Sequence, residues 1–257
     1  MTIQTLVSGV KVNTEEIAKT MNLGSDSIVI NQCGENGYAE YEHNGHNIKI
    51  YSFDEKGVGL SRNNALLRAT ADIILFSDED IVYNDGYAEE IIKAFDARPD
   101  ADMLLFNMDV AEDRATYHTV AESRVHRWNC GRYPTYSFAC RREMIHKNNI
   151  TFNLLFGGGA KYSNGEDSLF IQECLKKGLK IYALPITIGK EVPRPSTWFN
   201  GYTDKFFYDR GVLYKALYGS LAVPMAYRFL IRHKAVMLKD RSVKDAFALM
   251  KKGMAEF

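Results

Sequence analysis

The sequence predicts an α/β fold: a mostly parallel central sheet flanked by helices, followed by a helical C-terminal extension. Three observations carry this expectation. Short apolar runs alternate with helix-patterned segments through the first half of the chain, and such alternation builds a parallel sheet covered on both faces. The 257 residues are 46% hydrophobic, enough for the core of one large domain with an appendage. From Asp204 onward Leu, Tyr, Phe and Met interleave with Arg and Lys in a helical pattern. The expected division is therefore residues 1–203 and 204–257.

The elements follow in order. Ile3 to Val7, Ser27 to Asn31, Asn47 to Tyr51 and Asp72 to Phe76 are short, apolar or β-branched, and each is followed by turn-forming or polar residues, the signature of strands. Thr14 to Met21 and Leu60 to Ala69 read as helices between them, with Thr14 and Ser61 as candidate caps. A helix over Tyr87 to Phe95 and a strand over Met103 to Asn107 continue the alternation. The charged stretch from Ala111 to Arg132 lacks clear periodicity and reads as a mobile loop. Tyr136 to Arg141 reads as a strand and Arg142 to Asn148 as a short helix, with a glycine cluster at Gly157 to Gly159. A helix opens at Asn164-Gly165-Glu166-Asp167-Ser168 and runs through Lys177, where Gly178 ends it. A short strand, Lys180 to Ala183, leads into a connection containing Pro185, Pro193 and Pro195.

Charge and cysteine usage narrow the function classes. Lys plus Arg and Asp plus Glu each number 32, so the basic excess of a typical nucleic-acid binder is missing. The balance hides an asymmetry: residues 204–257 carry 11 basic against 5 acidic side chains, net +6, leaving −6 for the body. Cys33, Cys130, Cys140 and Cys174 lie far apart without a CxxC pair, which argues against a zinc ribbon or a disulfide framework and for reduced thiols in a cytoplasm. The N-terminal stretch lacks the pattern of a secretory signal, and no apolar window approaches a spanning helix. The expected location is cytoplasmic, soluble or peripheral on the inner face of a membrane.

Two acidic motifs suggest chemistry. In ADIILFSDED, residues 71–80, an apolar strand runs into Asp78, Glu79 and Asp80. Adjacent carboxylates at a strand end repel one another, and ligands of open α/β sheets bind at the carboxyl ends of strands. Asp78 and Asp80 suit a hard divalent cation, Mg²⁺ or Mn²⁺, completed by water and phosphate oxygens; capping or plain solvation is the simpler alternative. In SNGEDSLF, residues 163–170, Glu166 and Asp167 open a helix. The helix dipole favours acids there, and a carboxylate near a metal site can also serve as general base.

Taken together, GVGLSRNNALLRATADIILFSDED and, about 85 residues later, FGGGAKYSNGEDSLFIQECLKKG resemble the inverting family 2 glycosyltransferases of the GT-A, Rossmann-like fold, over roughly residues 3–185. The resemblance implies a nucleoside diphosphate sugar donor, expected to be UDP-linked. It implies Mn²⁺ or Mg²⁺ held by Asp80 with Asp78, Asp167 as the base, and Glu166 orienting acceptor or neighbouring side chains. It further implies donor contacts from Arg62 and Asn63, from Glu79, and from Gly158 and Gly159. Val7, Ser8 and Gly9 stand where the family's first-strand turn lines the donor pocket, and Gln32 stands near the family's nucleobase Asp, with Asn31 beside it. Some relatives add a metal-binding His near the C-terminal segment; Glu191 to Thr197 contains none, so water or Glu191 would take that place. Trp198 and Phe199 are candidates for a sugar platform or for core.

The basic tail suits an interfacial helix on an anionic leaflet, which would favour a saccharide or lipid-linked saccharide acceptor of the bacterial surface-polysaccharide type. Helices that close the domain or form a homodimer explain the same pattern. The rival functions are a nucleotidyltransferase, which needs a glycine-rich loop that residues 8–20 lack, and a non-catalytic sugar-nucleotide or glycan-binding relative, which has no need of Asp78, Asp80 and Asp167 together. A dehydrogenase is disfavoured because Gly57-Val58-Gly59 lacks a third glycine.

Overall fold

The computed structural model describes residues 1–111, 117–193 and 201–257. Among the described residues ten strands form one sheet: β1 (Ile3–Gly9), β2 (Asp26–Gln32), β3 (Gly37–His43), β4 (His46–Phe53), β5 (Ile73–Asp78), β6 (Ile81–Tyr83), β7 (Met103–Asp109), β8 (Ser123–Arg124), β9 (Phe138–Arg141) and β10 (Ile181–Glu191). Their order is β3-β4-β2-β1-β5-β9-β7-β10-β6, with β8 also on β10. β4, β2, β1, β5, β7 and β10 point the same way, because β9 is antiparallel to both β5 and β7. The sheet is thus mostly parallel, as expected, with β3, β6, β8 and β9 reversed.

Alternation along the strands sorts the core into two layers. Val7, Val29, Ile73 and Leu75 face α1 (Ile17–Met21) and α3 (Tyr87–Ala97). Leu6, Ile28, Ile30, Ile74 and Phe76 face α2 (Val58–Arg68), α4 (Arg142–Lys147) and α5 (Glu166–Lys176). Phe76, Phe152 and Phe170 pack as a buried aromatic knot under the second layer, Phe152 and Phe170 stacked with centroids 4.2 Å apart.

From Asp204 the chain is helical: α6 (Asp204–Tyr218), α7 (Ala222–Arg232), α8 (Lys234–Met237) and α9 (Val243–Glu256). Thr203 caps α6 and Ser242 caps α9 through their side-chain oxygens, which satisfies otherwise orphaned amides. α6 and α9 approach so closely at Gly211 that a Cβ there would lie 2.0 Å from the Met250 carbonyl oxygen. Val212, Leu213 and Leu217 of α6 pack with Phe156 and Tyr162, so the extension lies directly on the loop that precedes α5.

The structure departs from the sequence reading at three places. β3 forms a hairpin with β4 around Asn44-Gly45, both at positive φ. β10 continues through Pro185 to Glu191, with a register shift between Ala183 and Thr187 that accommodates the proline. The stretch from Ala111 to Arg132, read as a loop, contributes buried Val125 and Cys130 to the core. Within it, Asn107 of β7 clamps Thr119 by accepting its amide N–H and donating to its carbonyl oxygen, each at 2.9 Å.

Candidate active site

The carboxyl ends of β1, β2 and β5 form the floor of the site. Ser8 lies beside Asp78 in the β1–β5 ladder and beside Ile30 in the β1–β2 ladder. Asp78 follows Ile74 and Phe76 on the face covered by α2 and α5, so periodicity alone delivers its carboxylate to those helices. Arg62 of α2 is there to meet it. Its guanidinium, 4% exposed, donates from Nη2 to Asp78 Oδ1 and from Nη1 to Glu166 Oε1, both at 2.9 Å. Burial pulls the Arg62 charge down, and the two carboxylates more than reverse the effect. One arginine therefore joins the acidic motif after β5 to the acidic motif opening α5.

The glycine cluster shapes the ground between them. The Gly158 carbonyl accepts from Val58 N–H at 2.9 Å, tying the cluster to the start of α2. Gly157 sits at φ +105°, and a Cβ there would lie 2.7 Å from Val58 Cγ1 and 2.9 Å from Glu166 Oε2. A side chain at Gly157 would push Glu166 off Arg62. A Cβ at Gly159 would come within 3.1 Å of Gly57 Cα, so two backbones meet at this point.

Asp167 occupies the first turn of α5. Its Oδ1 accepts from Ser168 N–H at 2.6 Å and from the Ser168 hydroxyl at 3.2 Å. Burial, followed by the neighbouring Glu166 charge, pushes its carboxyl from an ordinary 3.8 up to about 6, against the pull of the Ser168 hydrogen bonds and Arg62. A carboxylate with its proton affinity raised toward neutrality suits general-base work.

Glu79 and Asp80 form the turn after β5. Asp80 is pinned through its main chain, whose carbonyl accepts from Val192 N–H at 2.8 Å. Glu191, which is buried, lies opposite Ile81 in the β6–β10 ladder. Asp78 and Asp80 carry oxygen donors of the kind Mg²⁺ or Mn²⁺ takes, and Oδ1 of Asp78 is engaged by Arg62. Among the described residues no group of three or more His, Cys, Asp or Glu is placed to hold a metal ion.

Several expected donor contacts have other occupations here. Val7 is fully buried in the layer facing α1 and α3 and does not line a pocket. The Glu79 carboxylate turns back to β1 and accepts from Val10 N–H at 2.5 Å, while the absence of a side chain at Gly9 leaves room for it. Asn63 donates to the Phe152 carbonyl at 2.9 Å and accepts from Phe152 N–H at 2.8 Å, a clamp between α2 and the segment before the glycines. Gln32 donates to the Gly57 carbonyl at 3.0 Å and to Glu55 Oε1 at 3.2 Å, holding the loop ahead of α2. Asn31 is likewise buried and engaged: its Oδ1 accepts from Val12 N–H at 3.0 Å and its Nδ2 donates to the Ser52 hydroxyl at 3.3 Å. Trp198 and Phe199 lie outside the described residues.

The sequence reading missed the far flank of Asp167. Gly131 lies against Ser168, with a Cβ position 3.6 Å from its Oγ, and this brings Cys130 close enough to feel the Asp167 charge. Burial and then Asp167 push the Cys130 thiol up to about 11, so it is an inert neighbour rather than a nucleophile. Arg210 of α6 also feels Asp167, and burial lowers its affinity for its proton. No local sequence signal could pair Arg210 with a residue 43 positions earlier.

This architecture, with its acidic turn after β5 and its acids opening α5, is that of the GT-A fold. The fold is shared with S. aureus TarS residues 1–349 in complex with UDP-GlcNAc (TM-score 0.63, 17% identity, 93% of this chain and 74% of that one). It is also shared with the mannosyltransferase PcManGT from Pyrobaculum calidifontis in complex with GDP-Man and Mn²⁺ (TM-score 0.52, 14% identity, 98% of this chain and 74% of that one). A comparison with curated proteins finds no match. The sequence model of glycosyl transferase family 2 matches residues 35–152, a little under half of the chain.

Proposed function

We propose that the protein transfers a sugar from a nucleoside diphosphate donor, UDP-linked in the first instance, to a saccharide hydroxyl with inversion. The observation that carries this reading is the Arg62 bridge, which brings Asp78 and Glu166 onto one guanidinium although 88 positions separate them in the chain. Asp167 follows directly and is the base. The acceptor oxygen attacks the anomeric carbon, the bond from that carbon to the β-phosphate oxygen breaks, and its electron pair leaves on the nucleoside diphosphate. The acceptor proton passes to the Asp167 carboxylate. A single displacement of this kind inverts the anomeric centre.

Asp80, with Asp78, would hold Mn²⁺ or Mg²⁺, which when bound supplies Lewis-acid stabilisation of the leaving diphosphate. The residues themselves prepare the ground. Arg62 fixes Asp78, and Glu79 holds the loop after β1 by accepting from Val10 N–H. Complexes of fold relatives with UDP-GlcNAc, UDP and GDP-Man support a sugar-nucleotide donor. The test is Asp167→Asn with an NMR assignment of product configuration. The expected result is donor binding retained, transfer lost, and an inverted product from the wild type; transfer at near wild-type rate would remove Asp167 from this role.

A membrane role for the extension draws its support from α7. Val223, Tyr227 and Ile231 are each about half exposed and recur every four residues, making one apolar stripe, with Arg232 and Lys234 exposed beside it. The inner faces of α6, α7 and α9 are already consumed by packing around Phe207, Ala226 and Met250, so closure of the domain leaves this stripe unexplained. No helix among the described residues is long and apolar enough to cross a membrane. An anionic leaflet that receives the stripe in its plane fits both its chemistry and the net positive charge of the extension, and it would bring a lipid-linked acceptor to the site.

A further inference from the structure

We propose that the flank of Asp167 formed by Arg127, Trp128, Arg210, Tyr218 and Arg228 binds a phosphate group carried by the saccharide acceptor. The inference rests on the glycosyl-transfer reading above and names the chemistry of the acceptor that reading leaves open.

Position comes first. On one side Asp167 is separated from the nucleotide floor by Glu166 and Arg62. On the other it faces the turn Cys130–Arg132, seated on Ser168, and α6, whose Leu217 carbonyl accepts from the Gln172 side chain of α5. A hydroxyl presented to the base from the side opposite the donor must therefore arrive over the 127–132 turn and the end of α6.

Charge comes second. Three guanidiniums, those of Arg228, Arg127 and Arg210, act electrostatically on the single phenol of Tyr218. Among the described residues none of the three forms an ion pair, in contrast to Arg62, Arg98 and Arg241. Arg210 is held between the rings of Phe206 and Phe229, at 5.1 and 5.3 Å, and its Nε is buried without an acceptor. Leaving such a donor buried and unsatisfied is costly, and an acceptor that reached it would recover that cost. Like charges gathered without partners are costly to the folded chain and favourable to an anion that enters among them. Guanidinium forks match phosphate geometry, and several of them suit a multiply charged phosphate better than a single carboxylate.

Aromatic surface comes third. Trp128 is about half exposed, carries the Arg127 guanidinium 4.5 Å from its ring centroid, and lies parallel to Tyr218 within 6°, centroids 6.3 Å apart. Flat aromatic faces beside cations are what a phosphorylated sugar ring requires: a surface for its C–H face and donors for its charged group.

The sequence contains two tryptophans, so Trp198→Phe leaves Trp128 as the only indole and makes its fluorescence a direct reporter. In the presence of saturating UDP and Mn²⁺, the full-length protein is titrated with glucose 6-phosphate, glucose and glucuronate, and with a short-chain prenyl-diphosphate-linked N-acetylglucosamine. The expected result is saturable quenching by a phosphate-bearing ligand at least tenfold tighter than by glucose or glucuronate. Arg127→Gln/Arg228→Gln, both exposed positions, is expected to weaken that binding at least tenfold with the melting temperature unchanged. Binding of glucose 6-phosphate assigns the phosphate to the sugar itself, and binding of the prenyl diphosphate alone assigns it to the lipid linkage. Equal affinity for glucose and both phosphate ligands, equal affinity for glucuronate, or wild-type affinity in the double variant would overturn the proposal. A separate UDP–Mn²⁺ titration reports on the donor reading, so the two can fail independently.

Discussion

The two flanks of Asp167 treat positive charge in opposite ways. On the donor flank Arg62 is buried and ion-paired, with one carboxylate on each terminal nitrogen, although its Nε, like that of Arg210, has no acceptor. On the far flank Arg127, Arg210 and Arg228 all act electrostatically on the Tyr218 phenol and form no ion pair among the described residues. The paired arginine holds geometry, because a bidentate guanidinium fixes both carboxylates at once. The unpaired ones leave their donors for a ligand. Charge count alone does not separate these cases; the ion pairs do.

The largest expected effect breaks the comparison at its centre. Asp167→Asn should lower the transfer rate by about 10²–10⁴, the usual worth of a general base, with nucleotide affinity little changed; release of nucleoside diphosphate is the assay. Arg62→Gln comes next. Removing one member of a buried ion-pair network strands Asp78 and Glu166, and denaturant unfolding should show a loss of roughly 3–5 kcal/mol. The exposed pair Arg127→Gln/Arg228→Gln should cost under about 0.5 kcal/mol, and a comparable loss there would erase the distinction between the flanks.

A third prediction uses pH. The Asp167 carboxyl titrates near 6 in the folded protein and at 3.8 ordinarily, so the rate should fall about tenfold per pH unit below 6 as the base is protonated. Stability moves in the same window with a defined sign. Between 3.8 and 6 the unfolded chain has released this proton and the folded chain retains it, so the group destabilises the fold increasingly as pH rises to 6 and constantly above. Asp167→Asn should therefore melt higher than wild type at pH 8 by on the order of 1–3 kcal/mol and equally at pH 3.5. A variant that melts lower at pH 8 would mean that Asp167 is held by interactions stronger than its burial.

The smallest effect concerns α7. Val223→Ser/Tyr227→Ser/Ile231→Ser removes exposed apolar area and should leave folding and transfer to a soluble acceptor within about twofold, while reducing sedimentation with vesicles containing phosphatidylglycerol. Retained vesicle binding would discard the stripe as a membrane contact. A concentration-dependent mass lost in the same variant would assign it to a homodimer.

How much of this was legible in the sequence follows from the range of each interaction. β1, β2, β5 and β7 were visible because both faces of a buried parallel strand are apolar. β3 was hidden because it is exposed along nearly its whole length, yet Asn44-Gly45 is a hairpin turn signal that its polarity obscured. The end of β10 was hidden by Pro185, which normally stops a strand and here sits at a shift in register. At the site, the acids at 78–80 and 166–167 were legible as local motifs, and their connection through Arg62 was not, since it depends on how α2 packs between them. Gly157 was legible only as a flexible residue; its requirement comes from Glu166 and Val58 in space. Asn63 and Gln32 were read as ligand contacts, although main-chain groups at Phe152 and Gly57 claim them. Arg210 was one basic residue among many in the tail, and only tertiary packing sets it beside Asp167.

Glycosyl transfer at this site requires that a nucleoside diphosphate bind at the strand ends. Calorimetric titration of the wild-type protein with UDP, with and without Mn²⁺, measures this. Saturable binding that requires the metal is the predicted result, and an absence of binding to UDP and to GDP, with or without Mn²⁺, would contradict it.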